Sequence, residues 1–237
     1  MKTSVRGMLA IINEEAVVLS TYKDSAGVLT IGIGHTAAAG EMAPKMGDRI
    51  TIVQAFELFR KDLVKFERHV LASVKRPLKQ HEFDALVGFD FNTGQIEGGT
   101  VDDKLDAGRI AAAMATLQQY DKAKVGGKKK KLSGLDKRRD MEEAMFRHAT
   151  YPMVGKIKVY DRYPGKMRLV PMNEIDLPVD WYGFPRPEDR PIADFPEPPQ
   201  PAPHIPAPMG QPVAKPAPVT LPAPPKLSWW QRWFGRA

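Results

Sequence analysis

The sequence predicts an α+β fold that is mostly helical, with a small antiparallel β-sheet near the N-terminus and a Pro-rich, largely irregular tail. Three observations predict it. Apolar residues recur at helical spacing in several separate stretches of the first 150 residues. One short stretch, Tyr22 to Ile33, instead alternates around the turn-forming run KDSAG. The prolines are segregated: of 22, only Pro44 and Pro77 precede residue 151. Proline lacks a backbone donor and fixes φ, so the later region is poorly suited to continuous helix or central strand.

The elements follow in order. Val5, Met8, Leu9 and Ile12 share one helical face, and Thr3 or Ser4 can cap it, which predicts a first helix over 4–15. The strand-and-turn region comes next. Thr51-Ile-Val-Gln54 has the form of a capping box and opens a long helix with Val53, Phe56, Phe59, Leu63, Phe66 and Val70 on one face. Further helices are predicted near 80–91, 101–120 and 134–149, on apolar sets that include Phe83, Leu86, Val87, Leu105, Ile110, Met114 and Leu117. Four regions result: a helical domain over 1–150, a short extension over 151–184, a Pro-rich linker over 185–225 and a Trp-rich basic segment over 226–237. In the extension, KIKVYDRYPGKMRLVP (156–171) suits one hairpin pivoting on Pro164-Gly165, a pair that favours a type II turn.

Composition excludes several function classes. With no cysteine, the chain has no disulfide framework, thiol chemistry or cysteine zinc site. No run reaches the roughly eighteen apolar residues of a membrane span. MKTSVRGMLAIINEEA reads as an amphipathic helix, because glutamates interrupt it and no small-residue cleavage site follows. The net charge of +7 points to an anionic partner. Its densest run, KVGGKKKKLSGLDKRR (124–139), has no interleaved aromatics for base stacking, so nucleic acid is not expected, and the run reads as a solvated loop leading into a helix.

Chemistry concentrates in NEEAVVLSTYKDSAGVLTIGIGHT (13–36). Glu15 falls at the carboxyl end of the first helix, where the helix dipole disfavours the ionised form, as a general acid requires. Asp24 falls in a polar turn, where a carboxylate stays ionised. Carboxyls whose environments push their pKa values apart are a signature of paired acid and base roles. In VLTIGIG, alternation puts Thr30, Gly32 and Gly34 on one strand face, bare enough for a ligand to approach the backbone, and Leu29, Ile31 and Ile33 on the other. Each residue also has an ordinary reading, as surface glutamate or turn aspartate.

The arrangement as a whole, Glu15, Leu19, Tyr22, Asp24, Gly27, Thr30, Ile31, Gly32, Gly34, His35 and Thr36, resembles the phage-type lysozyme (endolysin) family, glycoside hydrolase family 24. EFDALVGFDFNTG (82–94) and LSGLDKRRDMEEAMF (132–146) resemble later segments of that family, in the same order. The resemblance covers roughly residues 5–150 and implies a lysozyme-like fold. It implies that Glu15 protonates the glycosidic oxygen between N-acetylmuramic acid and N-acetylglucosamine in peptidoglycan. Asp24 and Thr30 would position and activate the attacking water; the best-known member of the family inverts the anomeric carbon, which needs room for that water between the carboxyls. The resemblance implies no cofactor and no metal.

Glu14 misses the family spacing to Asp24 and points about 100° away around the helix, so it is assigned to the surface. His35 has no acidic or histidine cluster around it and reads as a structural histidine paired with a carboxylate. Asn92 either binds a sugar acetamido group or caps a helix end. Arg138, Arg139 and Glu142 are expected in interhelical ion pairs. Two positions depart from the family: Ala16 replaces a glycine, and Ile33 replaces an aromatic residue.

Trp229, Trp230, Trp233 and Phe234, with Lys226, Arg232 and Arg236, form a short amphipathic segment suited to an anionic membrane or envelope surface. As an endolysin, the protein is expected in the host bacterial cytoplasm, reaching the wall with a holin-type partner. The rival readings are a lytic transglycosylase, which has no use for a water-positioning aspartate, and a non-catalytic envelope-binding protein, which has no use for the acid.

Overall fold

The structure, a computed structural model, describes residues 1–177 except 25, 26, 41, 98, 99, 126 and 127, and the side chains of Lys124 and Val125. The Pro-rich stretch 185–225 and the Trp-rich segment 226–237 lie outside the described residues.

Helix α1 spans Val5–Glu14. Ser4 is its N-cap, with the Ser4 hydroxyl accepting from the Gly7 N–H at 3.1 Å, so one orphan donor of the first turn is satisfied. Its buried face carries Met8, Ala10, Ile11 and Ile12. The chain leaves the helix at Glu15, whose φ of −103° and ψ of 163° are extended, and enters strand β1, Ala16–Lys23. The sheet therefore begins well before Tyr22, where alternation alone predicted it. Strand β2 is Leu29–Gly32 and β3 is His35–Thr36, both antiparallel neighbours in turn.

Helix α2, Ile52–Ser73, starts in the predicted capping box: Thr51 N–H donates to Gln54 Oε1 at 2.8 Å, and Gln54 N–H to Thr51 Oγ1 at 3.1 Å. Helix α3, Gln80–Thr93, is buried from Phe83 to Thr93. A helix with apolar residues all round belongs in the interior, and α3 packs against α1, α2 and the last helix. Its two interior aspartates are each answered. Asp84 accepts from Ser4 N–H (2.9 Å), Gln80 Nε2 (2.8 Å) and the Tyr151 hydroxyl (2.7 Å). Asp90 accepts from Ile96 N–H at 3.1 Å and meets His69 Nδ1 at 3.2 Å.

The single helix expected over 101–120 is two: α4, Asp102–Asp106, and α5, Ile110–Leu117. Gly108 divides them with a φ of +70°, in the left-handed region that ends helices. The lysine run also departs from expectation. Lys122–Val125 (β4) and Lys128–Lys131 (β5) form an antiparallel ribbon, closed by Leu132 N–H donating to the Asp121 carbonyl at 2.9 Å. Packing supplies what lysine's weak strand preference does not, since Ala123 is buried against Leu135 and Leu132. Helix α6, Ser133–His148, follows directly.

The 156–171 segment forms the expected hairpin, β6 (Lys156–Tyr160) and β7 (Met167–Pro171), joined by a loop over 161–166 in place of a two-residue turn. Strand β6 pairs in parallel with β1, Ala16 opposite Lys158, giving the sheet order β3-β2-β1-β6-β7. This stretch therefore completes the edge of the front sheet, and Ile157, Val159 and Val170 join the main core.

Candidate functional site

Three elements converge on Glu15. It sits at the junction of α1 and β1 and is 1 % exposed. Its N–H donates to the Ile12 carbonyl at 3.1 Å, which fixes the backbone as the helix ends. From α6, Arg138 Nη2 reaches Glu15 Oε1 at 2.6 Å, with the arginine side chain 2 % exposed. Glu15 Oε2 is buried with no hydrogen-bond partner among the described residues. Burial raises the Glu15 carboxyl above its usual range, and Arg138, through its charge and hydrogen bond, offsets this only in part. The helix dipole invoked from sequence is a lesser matter than this desolvation. The result suits a proton donor: a carboxyl with one oxygen tethered and the other unengaged.

Arg138 is the residue whose place the sequence did not disclose. The Arg138-Arg139 doublet marked the helix, but consecutive residues diverge by about 100° around its axis. Arg138 therefore points to the end of α1. Arg139 points to α3, donating to Asn92 Oδ1 at 2.9 Å and to Glu142 Oε1 at 2.8 Å. Glu142 is 1 % exposed, and burial pushes its carboxyl up to about 7 against the pull of Arg139. Asn92 neither caps α3, which ends on Gly94 at φ +61°, nor stands at an open surface. It lies inside this buried network.

Asp24 and Thr30 are joined through one residue, Val28. Asp24 Oδ1 accepts the Val28 N–H at 2.9 Å, and the Asp24 N–H donates to the Val28 carbonyl at 2.9 Å. The same carbonyl accepts the Thr30 hydroxyl at 3.1 Å. Asp24 thus closes the turn between β1 and β2 while remaining 7 % exposed, and Thr30, fully buried, lies opposite Tyr22 of β1.

The glycines depart from the expected bare face. Strand β2 stops at Gly32, and Gly34 lies in the turn before β3, so Thr30, Gly32 and Gly34 do not share one strand face. Both glycines have positive φ, +65° and +74°. A Cβ at Gly32 would lie 3.3 Å from Ile50 Cδ1 and 3.6 Å from Ala55 Cβ, so the missing side chain faces the start of α2 and leaves no room there for a sugar. Their shared reason is the tight return from β2 to β3. Ile33, between them, is 2 % exposed and packs in the core.

That return sets His35 against α2. His35 Nδ1 meets the Asp62 carboxylate at 2.9 Å, and Nε2 meets the Met42 carbonyl at 2.7 Å. Both ring nitrogens face acceptors, so the imidazolium, with two donors, fits the site. Burial opposes the charge, but the hydrogen bond to Asp62 and its negative charge outweigh it, and the His35 pKa is raised. His35 is the carboxylate-paired structural histidine expected from the sequence. Glu14 is partly exposed and accepts from its neighbour Asn13, at 3.0 Å. Among the described residues, no group of three or more His, Asp or Glu is placed to hold a metal ion.

Comparison with known proteins places this geometry. The family model described as phage lysozyme matches residues 12–142. The chain is 35 % identical over 151 residues to an endolysin of Acyrthosiphon pisum secondary endosymbiont phage 1, a match covering 63 % of this chain and the whole of that protein. Among solved structures, an endolysin from Escherichia coli O157:H7 phage FAHEc1 superposes with a TM-score of 0.59 at 34 % identity, covering 65 % of this chain and 98 % of that one. The muramidase domain of SpmX from Asticaccaulis excentricus gives 0.56 at 31 % identity, over 62 % and 97 %. The match begins three residues before Glu15 and ends within α6, past Arg138, so it spans the whole constellation, and the chain belongs to the phage lysozyme family of peptidoglycan-cleaving glycoside hydrolases.

Proposed function

We propose that the protein is an endolysin-type muramidase in which Glu15 is the general acid and Asp24, with Thr30, handles the water. The substrate bond joins N-acetylmuramic acid to N-acetylglucosamine. Glu15 gives its proton to the glycosidic oxygen as the bond from that oxygen to the anomeric carbon breaks. A water held by Asp24 and the Thr30 hydroxyl attacks the anomeric carbon, and its proton passes to the Asp24 carboxylate. Arg138 keeps the Glu15 side chain aimed and attracts the proton-depleted form left after transfer, which favours release of the proton. Asn92 acts indirectly, by holding Arg139 and through it the packing of α6 on α3. Gly32 and Gly34 act by shaping the β2–β3 return.

The observation that carries this reading is the burial of Glu15 with a raised pKa beside Arg138. The test is digestion of purified peptidoglycan followed by mass spectrometry of the new ends. Reducing muramic acid ends that disappear in Glu15→Gln support the proposal. Anhydro-muramic acid ends would move the protein to the transglycosylases, and intact peptidoglycan would leave a binding protein. The proposed setting is lysis of a bacterial host, with synthesis in the cytoplasm, release through a holin-type partner, and the Trp229, Trp230 and Trp233 segment engaging an anionic envelope surface. Deleting residues 226–237 without loss of binding to liposomes or sacculi would remove the last of these roles.

A further inference from the structure

The lysine ribbon is a charged surface that the reaction above does not use. Its register sets Lys122 directly opposite Lys131 and Lys124 directly opposite Lys129. Like charges across a strand pair repel, so the ribbon is costly unless an anion is nearby. Among the described residues, the ion pairs of the ribbon lie at its base, where Lys131 Nζ is 2.7 Å from Asp136 and 3.3 Å from Asp121, and Lys122 is 3.8 Å from Asp121. Strand β5 is exposed along its whole length, and Lys128, Lys129 and Lys130 have no ion pair among the described residues.

Position gives this charge a use. The ribbon's foot, Leu132, leads directly into α6, and Arg138, which holds Glu15, comes five residues after the helix start at Ser133, about 7.5 Å of helical rise. The ribbon therefore joins the helix that carries Arg138 within about two turns of the residue that holds Glu15. The glycan of peptidoglycan carries peptide stems whose free carboxylates flank the scissile bonds at regular intervals. Strand β5 has no aromatic or apolar side chain to insert into a lipid interface, which favours a hydrated polyanion over a membrane.

We infer that Lys128, Lys129 and Lys130 form a docking surface for the carboxylates of the peptide stems, holding a glycan strand while Glu15 acts on it. This rests on the muramidase reading and adds to it a preference for stem-bearing over bare glycan.

The test compares wild type with the triple variant Lys128→Gln/Lys129→Gln/Lys130→Gln on intact peptidoglycan and on glycan strands stripped of stems by an amidase. Removing three like charges should leave the thermal midpoint unchanged or higher, which checks the fold. On stem-bearing substrate at low salt, KM should rise about five-fold with kcat retained, and the difference should shrink as salt is added. Stripped strands should be cut equally by both proteins. An unchanged KM on intact peptidoglycan, or an equal rise on stripped strands, would overturn the inference. So would an unchanged KM accompanied by lost binding to phosphatidylglycerol vesicles, which would assign the ribbon to lipid. Co-sedimentation with sacculi reads docking apart from turnover. Wild type that sediments without cutting would sink the muramidase reading alone, and a triple variant that sediments like wild type would sink the ribbon.

Discussion

Replacing Arg138 with methionine, which keeps much of its bulk, strands the Glu15 carboxyl in the interior without its cation. In the present protein both side chains are nearly inaccessible, 2 % and 0 % exposed, so water cannot replace the lost partner. The buried carboxylate has one escape, which is to take up a proton. Starting from an ordinary pKa of 4.5, protonation at pH 7 costs about 3.4 kcal/mol, and that is the ceiling on the ionisation part of the loss. The sign follows from linkage. A carboxyl whose folded pKa lies above its unfolded value costs nothing below the unfolded pKa and destabilises progressively as pH rises toward the folded one. The variant raises the folded value further, so its deficit relative to wild type is that ceiling less the cost wild type already carries on its own raised Glu15. That deficit should be largest at pH 7, where it stays below about 3 kcal/mol, and fall under about 1 kcal/mol at pH 5. Arg138 also pulls the buried Glu142 carboxyl down, so the comparison is made in a Glu142→Gln background, where the loss of its remaining contacts adds an offset independent of pH. Urea unfolding at pH 5, 6 and 7 separates the two parts. A deficit of the same size at all three pH values would refute the reasoning, because it would mean that Arg138 does not compensate an ionised Glu15.

Other outcomes follow from the same structure. A Cβ at Gly7 would lie 2.6 Å from Asp84 Cγ and 2.8 Å from Asp84 Cβ, so Gly7→Ala should lose about 1–2 kcal/mol, the clash outweighing alanine's helix preference, and a raised thermal midpoint would contradict this. Asp62→Asn should cost about 3 kcal/mol at pH 6 by leaving the His35 imidazolium buried without its carboxylate. Because the folded His35 pKa is raised, that contribution is complete below about pH 6.5 and is lost as pH rises through the folded value; a penalty that grows in alkali would reverse the sign argued here. Asp24→Asn should keep the melting midpoint, since the amide oxygen still accepts the Val28 N–H, while kcat falls at least about 100-fold. Undiminished turnover in that variant would remove Asp24 from the reaction.

What was legible in the sequence was whatever depends on neighbours along the chain. The Thr51–Gln54 capping box, the Asp24 turn and the face of α2 are local, and the structure repeats them. The division of α4 from α5 needed only more weight on Gly108, a helix-ending residue in the middle of an apolar period. Contacts between distant segments were hidden. Nothing in KIKVY signals that it pairs in parallel with β1, because a strand's partner is set by packing across the whole core. The Arg138–Glu15 contact joins residues 123 apart, and the doublet Arg138-Arg139 offers no local reason why one arginine should turn to α1 and the other to α3. Gly32 misled for a related reason: alternation places a side chain only while the strand continues, and β2 ends there with φ at +65°.

The central claim is that burial outweighs Arg138 at Glu15 and keeps a proton available to the glycosidic oxygen. Carbon-13 NMR titration of the glutamate carboxyls, with Glu15→Gln to assign the resonance, measures this directly. The account predicts a Glu15 midpoint above 4.5, matching the alkaline limb of kcat/KM. A midpoint at or below 4.5 would contradict it, leaving Glu15 an ionised partner of Arg138 with no proton to give.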